Sequence, residues 1–134
     1  MMMLAARKLA VLAALLSGQL FAAAYMPYPD AAITVEQWQQ YFDSVRLEFA
    51  DTMQQEPDVN LVLFHDESTS TYYAFTTPGN PAHPAWVTRR LVEQDGEIAV
   101  EQLGYYAGDE APFADLFDAF ADLSDELRQE FERE

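Results

Sequence analysis

WVTRRLVEQDGEIAVEQLGY, residues 86–105, contains two long predicted β-strands and the turn that connects them. Asp95 and Gly96 form the strongest hairpin signal in the chain, because both positions of such a two-residue turn require a positive φ. The turn also sets the pairing of the two strands, since it places Gln94 directly opposite Glu97. The stretch therefore predicts an antiparallel hairpin of defined register.

This register assigns the hairpin side chains to two faces of a sheet. Arg90 is expected opposite Glu101, and Trp86 opposite Tyr105. One face is apolar and is expected to contact helices; it carries Val87, Leu91, Ile98 and Val100. The other face is expected to be a half-exposed mixture of aromatic and charged groups, namely Trp86, Thr88, Arg90, Val92, Glu101, Leu103 and Tyr105.

Segments on both sides of the hairpin complete a predicted α+β fold. Thr34 and Gln37 form a capping box before an apolar helical stripe, which predicts a first helix over 35–55. Asp109 suits the N-cap of a second helix, and Pro112 suits its first turn. Alternating, aromatic or β-branched patterns predict four strands between the helices, over 59–65, 71–77, 86–93 and 97–104.

The order of these elements predicts the architecture of the chain. We expect an N-terminal helix, a four-stranded antiparallel meander and a C-terminal helix, with both helices packed on one sheet face. Residues 25–134 have the size of a single small domain. Their first part, 25–33, contains prolines and is expected to be an extended, loosely held lead-in.

The N-terminal segment, 1–24, has the pattern of a secretory signal peptide. Arg7 and Lys8 precede an apolar run, and the segment ends in Ala22-Ala23-Ala24. A charged start, a short apolar centre and small residues at the end are what a signal peptidase requires. We therefore expect cleavage after Ala24 and release into the periplasm, with full secretion as the second choice.

An uncleaved membrane anchor is the alternative interpretation of this segment. A membrane-spanning helix needs about 20 consecutive apolar residues. The run here is interrupted by Gly18 and Gln19, so it favours cleavage, which leaves no stable membrane anchor. The chain contains no cysteine, which excludes a lipid-modified cysteine anchor, thiolate metal sites and cysteine nucleophiles.

The chain is strongly acidic. Its formal net charge is −16, and loss of Arg7 and Lys8 with the signal peptide makes it −18. Such a polyanion repels nucleic acids and anionic membranes, so neither is expected as a partner. Two interpretations of the acidity remain open. It is typical of adaptation to high salt, and it also suits binding of another protein, including a basic one.

Two histidines are the first candidates for chemistry. His65 ends a predicted strand beside Asp66 and Glu67, and His83 lies in a proline-rich loop over 78–84. In a meander the two are expected at opposite ends of neighbouring strands, which disfavours a shared metal site. No motif for a cofactor, a metal or a catalytic triad is present. We therefore predict no cofactor, and a hydrolase or metal-dependent enzyme using His83 or His65 is the alternative hypothesis.

The leading hypothesis is a non-enzymatic binding module that acts on another protein. An inhibitor, an immunity-like protein or an accessory factor of the cell envelope fits this description. A rigid loop and aromatic side chains are suitable contact groups. The candidate interaction surface consists of Asn80, His83, Trp86, Arg90 and Tyr105. A third hypothesis, binding of a small apolar ligand, requires a cavity above about 300 Å³ lined by aromatic side chains.

Overall fold

The computed structural model describes residues 24–133, so the predicted signal peptide lies outside the described residues except for Ala24. These described residues form two helices, one short 3₁₀ turn and a single antiparallel sheet of five strands in sequential order. In chain order the elements are α1 Val35–Phe49, the 3₁₀ turn Ala50–Thr52, β1 Gln54–Glu56, β2 Leu61–Asp66, β3 Thr71–Thr76, β4 Ala85–Gln94, β5 Glu97–Tyr106 and α2 Glu110–Arg133. The predicted α+β class is confirmed.

The first helix starts at the predicted capping box and ends earlier than predicted. Thr34 Oγ1 accepts a hydrogen bond from the Gln37 backbone N–H, and Gln37 Oε1 accepts one from the Thr34 N–H. The helix ends at Phe49, where φ is −119° and ψ is 29°. Because the backbone leaves helical geometry there, β1 becomes free to pair with β2. The prediction of four strands and of a helix to residue 55 was therefore wrong.

The central hairpin has the predicted register. Asp95 and Gly96 adopt positive φ values of 53° and 81°, as the two-residue turn requires. Gln94 pairs with Glu97, and the ladder continues without interruption to the pair Ala85 and Tyr106. The register that the turn predicts therefore holds for all ten residue pairs.

The two helices pack on opposite faces of the sheet, which corrects the prediction that both share one face. α1 covers the face that carries Phe75, Trp86 and Tyr105. α2 covers the face that carries Val87 and Ala74. Successive strand residues point to opposite faces, and this sheet is apolar on both, so each face needs its own cover. The face expected to be half exposed is buried around Trp86, Thr88 and Tyr105.

The lead-in over 25–33 is firmly held, contrary to expectation. The Ile33 N–H donates to the Tyr106 carbonyl, and the Tyr106 N–H donates to the Ala31 carbonyl. The Tyr105 hydroxyl donates to the Tyr28 carbonyl at 2.8 Å. Aromatic side chains and strand pairing therefore anchor this segment.

Neither helix in the described range is both long and apolar enough to cross a membrane.

Candidate binding groove beside the last strand

The two histidines lie far apart, as predicted. His65 pairs with Tyr72 across β2 and β3, and their rings stack with centroids 4.2 Å apart. His83 lies near the other end of β3, where its Nδ1 shares a hydrogen bond of 2.7 Å with Thr76 Oγ1. The edge of its ring also contacts Trp38. Each histidine thus contacts a different set of neighbouring residues.

The surroundings of the histidines give the enzyme hypothesis no support. Desolvation lowers the pKa of His83 below its usual value, and a hydrogen bond with the Thr76 backbone partly offsets this effect. Asp66 accepts hydrogen bonds from Ser68 and Thr69, which outweigh the effect of burial and lower the pKa of its carboxyl. Within residues 24–133, no three side chains of the metal-ligating types form a group able to hold a metal ion.

Two residues of the predicted interaction surface are buried. Trp86 is 0% exposed and Tyr105 is 2% exposed, both beneath α1. Asn80 holds a turn, because its Nδ2 donates to the Val59 carbonyl and its Oδ1 accepts from the Ala82 N–H. These three side chains therefore stabilise the domain, and the two aromatic ones cannot anchor a partner on its surface.

Arg90 is engaged within the domain. Its Nη2 donates to Glu101 Oε1 at 2.7 Å, and its guanidinium lies 4.0 Å from the centre of the Tyr25 ring. Desolvation raises the pKa of Tyr25, with a further contribution from Glu101. Partial exposure is kept by Asn80, His83 and Arg90. The five predicted surface residues therefore do not form one continuous exposed patch.

Apolar grooves along α2 were not predicted from the sequence. One of them, here called the β5 groove, has a volume of about 410 Å³ and lies between α2 and β5. Another of about 330 Å³ lies along α2 near Leu116 and Phe120, and one of about 230 Å³ reaches the helix at Leu127. The β5 groove is lined by Ala31, Gln102, Leu103, Gly104, Tyr106, Glu110, Phe113, Ala114, Phe117 and Asp118.

The walls of the β5 groove depend on a close approach between helix and strand. A Cβ atom at Gly104 would lie 2.6 Å from Phe113 Cζ and 2.9 Å from Phe117 Cδ2, so any other residue requires these rings to move. Tyr106 stacks on Phe113 with ring centroids 4.8 Å apart. Gln102 Nε2 donates to the Phe117 carbonyl at 2.8 Å and fixes the helix against the strand.

The strand that borders the groove is at the edge of the sheet. β4 is its neighbour on one side, and on the other side Tyr106 bonds to the lead-in at Ala31 and Ile33. Backbone groups alternate in direction along an antiparallel strand, so those of Ile98, Val100 and Gln102 point the same way as Tyr106. In the described part of the chain, the backbone groups of these three have no partner on that side.

The electrostatic character of the groove is negative. Glu110 and Asp118 are exposed at its rim, and none of its lining residues carries a positive charge. The floor between these carboxylates is aromatic and aliphatic.

No match was found when the chain was compared with protein-family models, with curated proteins and with solved structures.

Part of this site could have been found from the sequence. The last strand of a meander is at a sheet edge, so the edge position of β5 follows from strand order alone. The volume of the groove does not follow, because it depends on how closely α2 approaches the sheet at Gly104.

Proposed function

We propose that this chain is an exported, acidic, non-enzymatic binding module for another protein, and that the β5 groove is its docking surface. The signal-peptide pattern in 1–24 supports a periplasmic location. An inhibitor, an immunity-like protein or an envelope accessory factor would act in this way. The observation that carries the proposal is an apolar groove beside a strand edge whose backbone groups at Ile98, Val100 and Gln102 have no partner among the described residues.

The two edges of the sheet differ in their protection against other chains. Proteins shield exposed edges with short strands, prolines, bulges or charged side chains. The edge strand β1 has three residues and is followed by Pro57. β5 has ten residues, contains no proline and pairs with β4 without a bulge, and its charged side chains are Glu97 and Glu101. An edge strand of this length, covered by the lead-in only at Tyr106 among the described residues, supports a role in binding.

The dimensions of the groove also favour a second candidate, binding of a small apolar ligand. Ligand pockets have volumes of about 300–1,000 Å³ and are lined mainly by apolar and aromatic side chains. The β5 groove meets both conditions through its volume of about 410 Å³ and its lining by Tyr106, Phe113 and Phe117. Native mass spectrometry of the protein purified after export distinguishes the two, since a small ligand adds a constant mass.

Filling the groove tests the proposed function. Ala114 is an exposed lining residue, so Ala114→Trp fills the groove without entering the core. Ala50→Trp is the matched control, because Ala50 is exposed beyond the end of α1 and does not line the groove. We expect the unmodified chain and Ala50→Trp to capture the same envelope protein, and Ala114→Trp to lose it. Equal capture by all three chains, or no capture, refutes the proposal.

A further inference from the structure

We infer that the partner inserts an extended, cationic segment into the β5 groove, where it adds to β5 as a further strand of the sheet. This inference rests on the proposed function and specifies the chemistry of the partner. It depends on three properties of the described residues: the direction of the β5 backbone, the apolar floor of the groove and the negative charge at its rim.

The β5 edge already accepts a strand at one end. Ala32 forms a parallel bridge with Tyr106, supported by two backbone hydrogen bonds of 2.9 Å between Tyr106 and the lead-in. Beyond this point the outward backbone groups of Gln102, Val100 and Ile98 follow in the same direction. A segment that pairs with these residues continues an interaction that the fold itself makes. Strand addition of this kind supplies affinity through main-chain hydrogen bonds.

The groove beside this edge can receive every second side chain of an added strand. Side chains of a strand alternate between faces, so one row would face α2. There it meets Ala114 and Phe117 on the helix and, near Gly104, the ring of Phe113. Apolar side chains, or the apolar stems of Arg and Lys, fit this floor.

Charge determines which segment is favoured. The carboxylates of Glu110 and Asp118 lie at the rim, and no cationic side chain lines the groove to neutralise them. Arginine and lysine can place their methylene groups on the floor and their charges beside these carboxylates. The formal net charge of −16 opposes pairing with a second copy of this chain, because two copies repel each other. The groove therefore favours a cationic strand of a different protein.

Model peptides test this inference separately from the proposed function. The probes are capped peptides of about eight residues that alternate valine with arginine or valine with glutamate. A third probe is the arginine peptide with N-methylated backbone amides, which cannot form a strand ladder. We expect the arginine peptide to bind about tenfold or more tightly than either of the others in calorimetric titrations. The amide protons of Ile98, Val100 and Gln102 should then exchange with solvent more slowly.

Two charge variants locate the interaction. Asp118→Lys at the groove rim should weaken binding of the arginine peptide about tenfold. Asp58→Lys makes the same change in net charge at the opposite edge of the sheet, where Asp58 is exposed, and should have a much smaller effect. Equal effects of the two variants would show a non-specific charge interaction and overturn the inference.

The remaining outcomes separate the inference from the proposed function. Three outcomes overturn the inference of an added cationic strand. They are no binding of the arginine peptide, no effect of N-methylation, and equal binding of the glutamate peptide. Self-association of the chain through these amides also overturns it, in favour of a second copy. If Ala114→Trp still loses an envelope protein that the Ala50→Trp control retains, the proposed function survives any of these failures.

Discussion

The two faces of the sheet are packed in different ways. The face beneath α1 is filled with large rings, including Phe64, Phe75, Trp86 and Tyr105. The face beneath α2 presents the small residues Ala74, Ala85 and Gly104 beside larger ones such as Val87 and Leu63, and grooves remain along the helix. The small residues of this face leave space beside α2, whereas large rings fill the corresponding space beneath α1.

Ring packing explains the closed face. Trp86 stacks on Tyr41 with centroids 4.3 Å apart, and Phe75 meets the edge of Trp38 at 6.0 Å. Aromatic pairs of this geometry contribute about 0.5–1.5 kcal/mol each beyond the area that they bury. We infer that the α1 face supplies most of the stability and that the groove beside α2 is available for binding.

The largest expected effect compares one phenylalanine from each face. Phe75 is 0% exposed on the α1 face, whereas Phe117 is only partly buried at the β5 groove. Phe75→Ala should lower the free energy of unfolding by about 4 kcal/mol, and Phe117→Ala by about 2 kcal/mol or less. Urea denaturation of both variants measures the difference. Equal losses would show that the two faces contribute alike.

The close approach at the groove wall gives the next effect. Gly104→Ala places a Cβ against the ring of Phe113, so we expect a loss of about 2 kcal/mol in unfolding free energy. The background variant Phe113→Leu removes part of this ring. The cost of Gly104→Ala should therefore be smaller in that background than in the unmodified chain. The same cost in both backgrounds would show that the ring is not the cause.

A buried hydroxyl on the α1 face should give a smaller change of opposite sign. Thr88 is 0% exposed, and its Oγ1 has no hydrogen-bond partner among the described residues. Thr88→Val should therefore raise the free energy of unfolding by about 1 kcal/mol. The control is Thr76→Val, because Thr76 is also buried but its Oγ1 accepts from the Ala85 N–H. Thr76→Val should be destabilising, and stabilisation by both variants would contradict this account.

The smallest effect concerns the ion pair at the rim of the α1 face. The Arg90 and Glu101 side chains are 35% and 40% exposed, so water screens their attraction. A double-mutant cycle with alanine should give a coupling energy of about 0.5 kcal/mol, which decreases in high salt. The cycle is needed because Arg90→Ala alone also removes the contact with Tyr25. A coupling above about 2 kcal/mol would place this pair among the principal stabilising contacts.

Predictions from the sequence succeeded where the determining contacts are local. The capping box of Thr34 and Gln37 and the turn at Asp95 and Gly96 depend on residues close together in the chain. The end of α1 was wrong, because β1 exists through pairing with β2 and not through its own pattern. The β5 groove was missed for the same reason, since its walls come from α2 and β5 together.

The α+β class, the register of the central hairpin and the acidic charge follow from the amino-acid sequence alone. Turn geometry and charge are properties of neighbouring residues or of composition, and they do not depend on the path of the chain. The packing of the folded chain was needed to show that α1 and α2 cover opposite faces, that Trp86 and Tyr105 are buried, and that a groove remains beside β5. Both sheet faces are apolar, so the pattern of a single strand cannot show which helix covers which face. That choice is made by long-range packing of large rings on one side and small residues on the other.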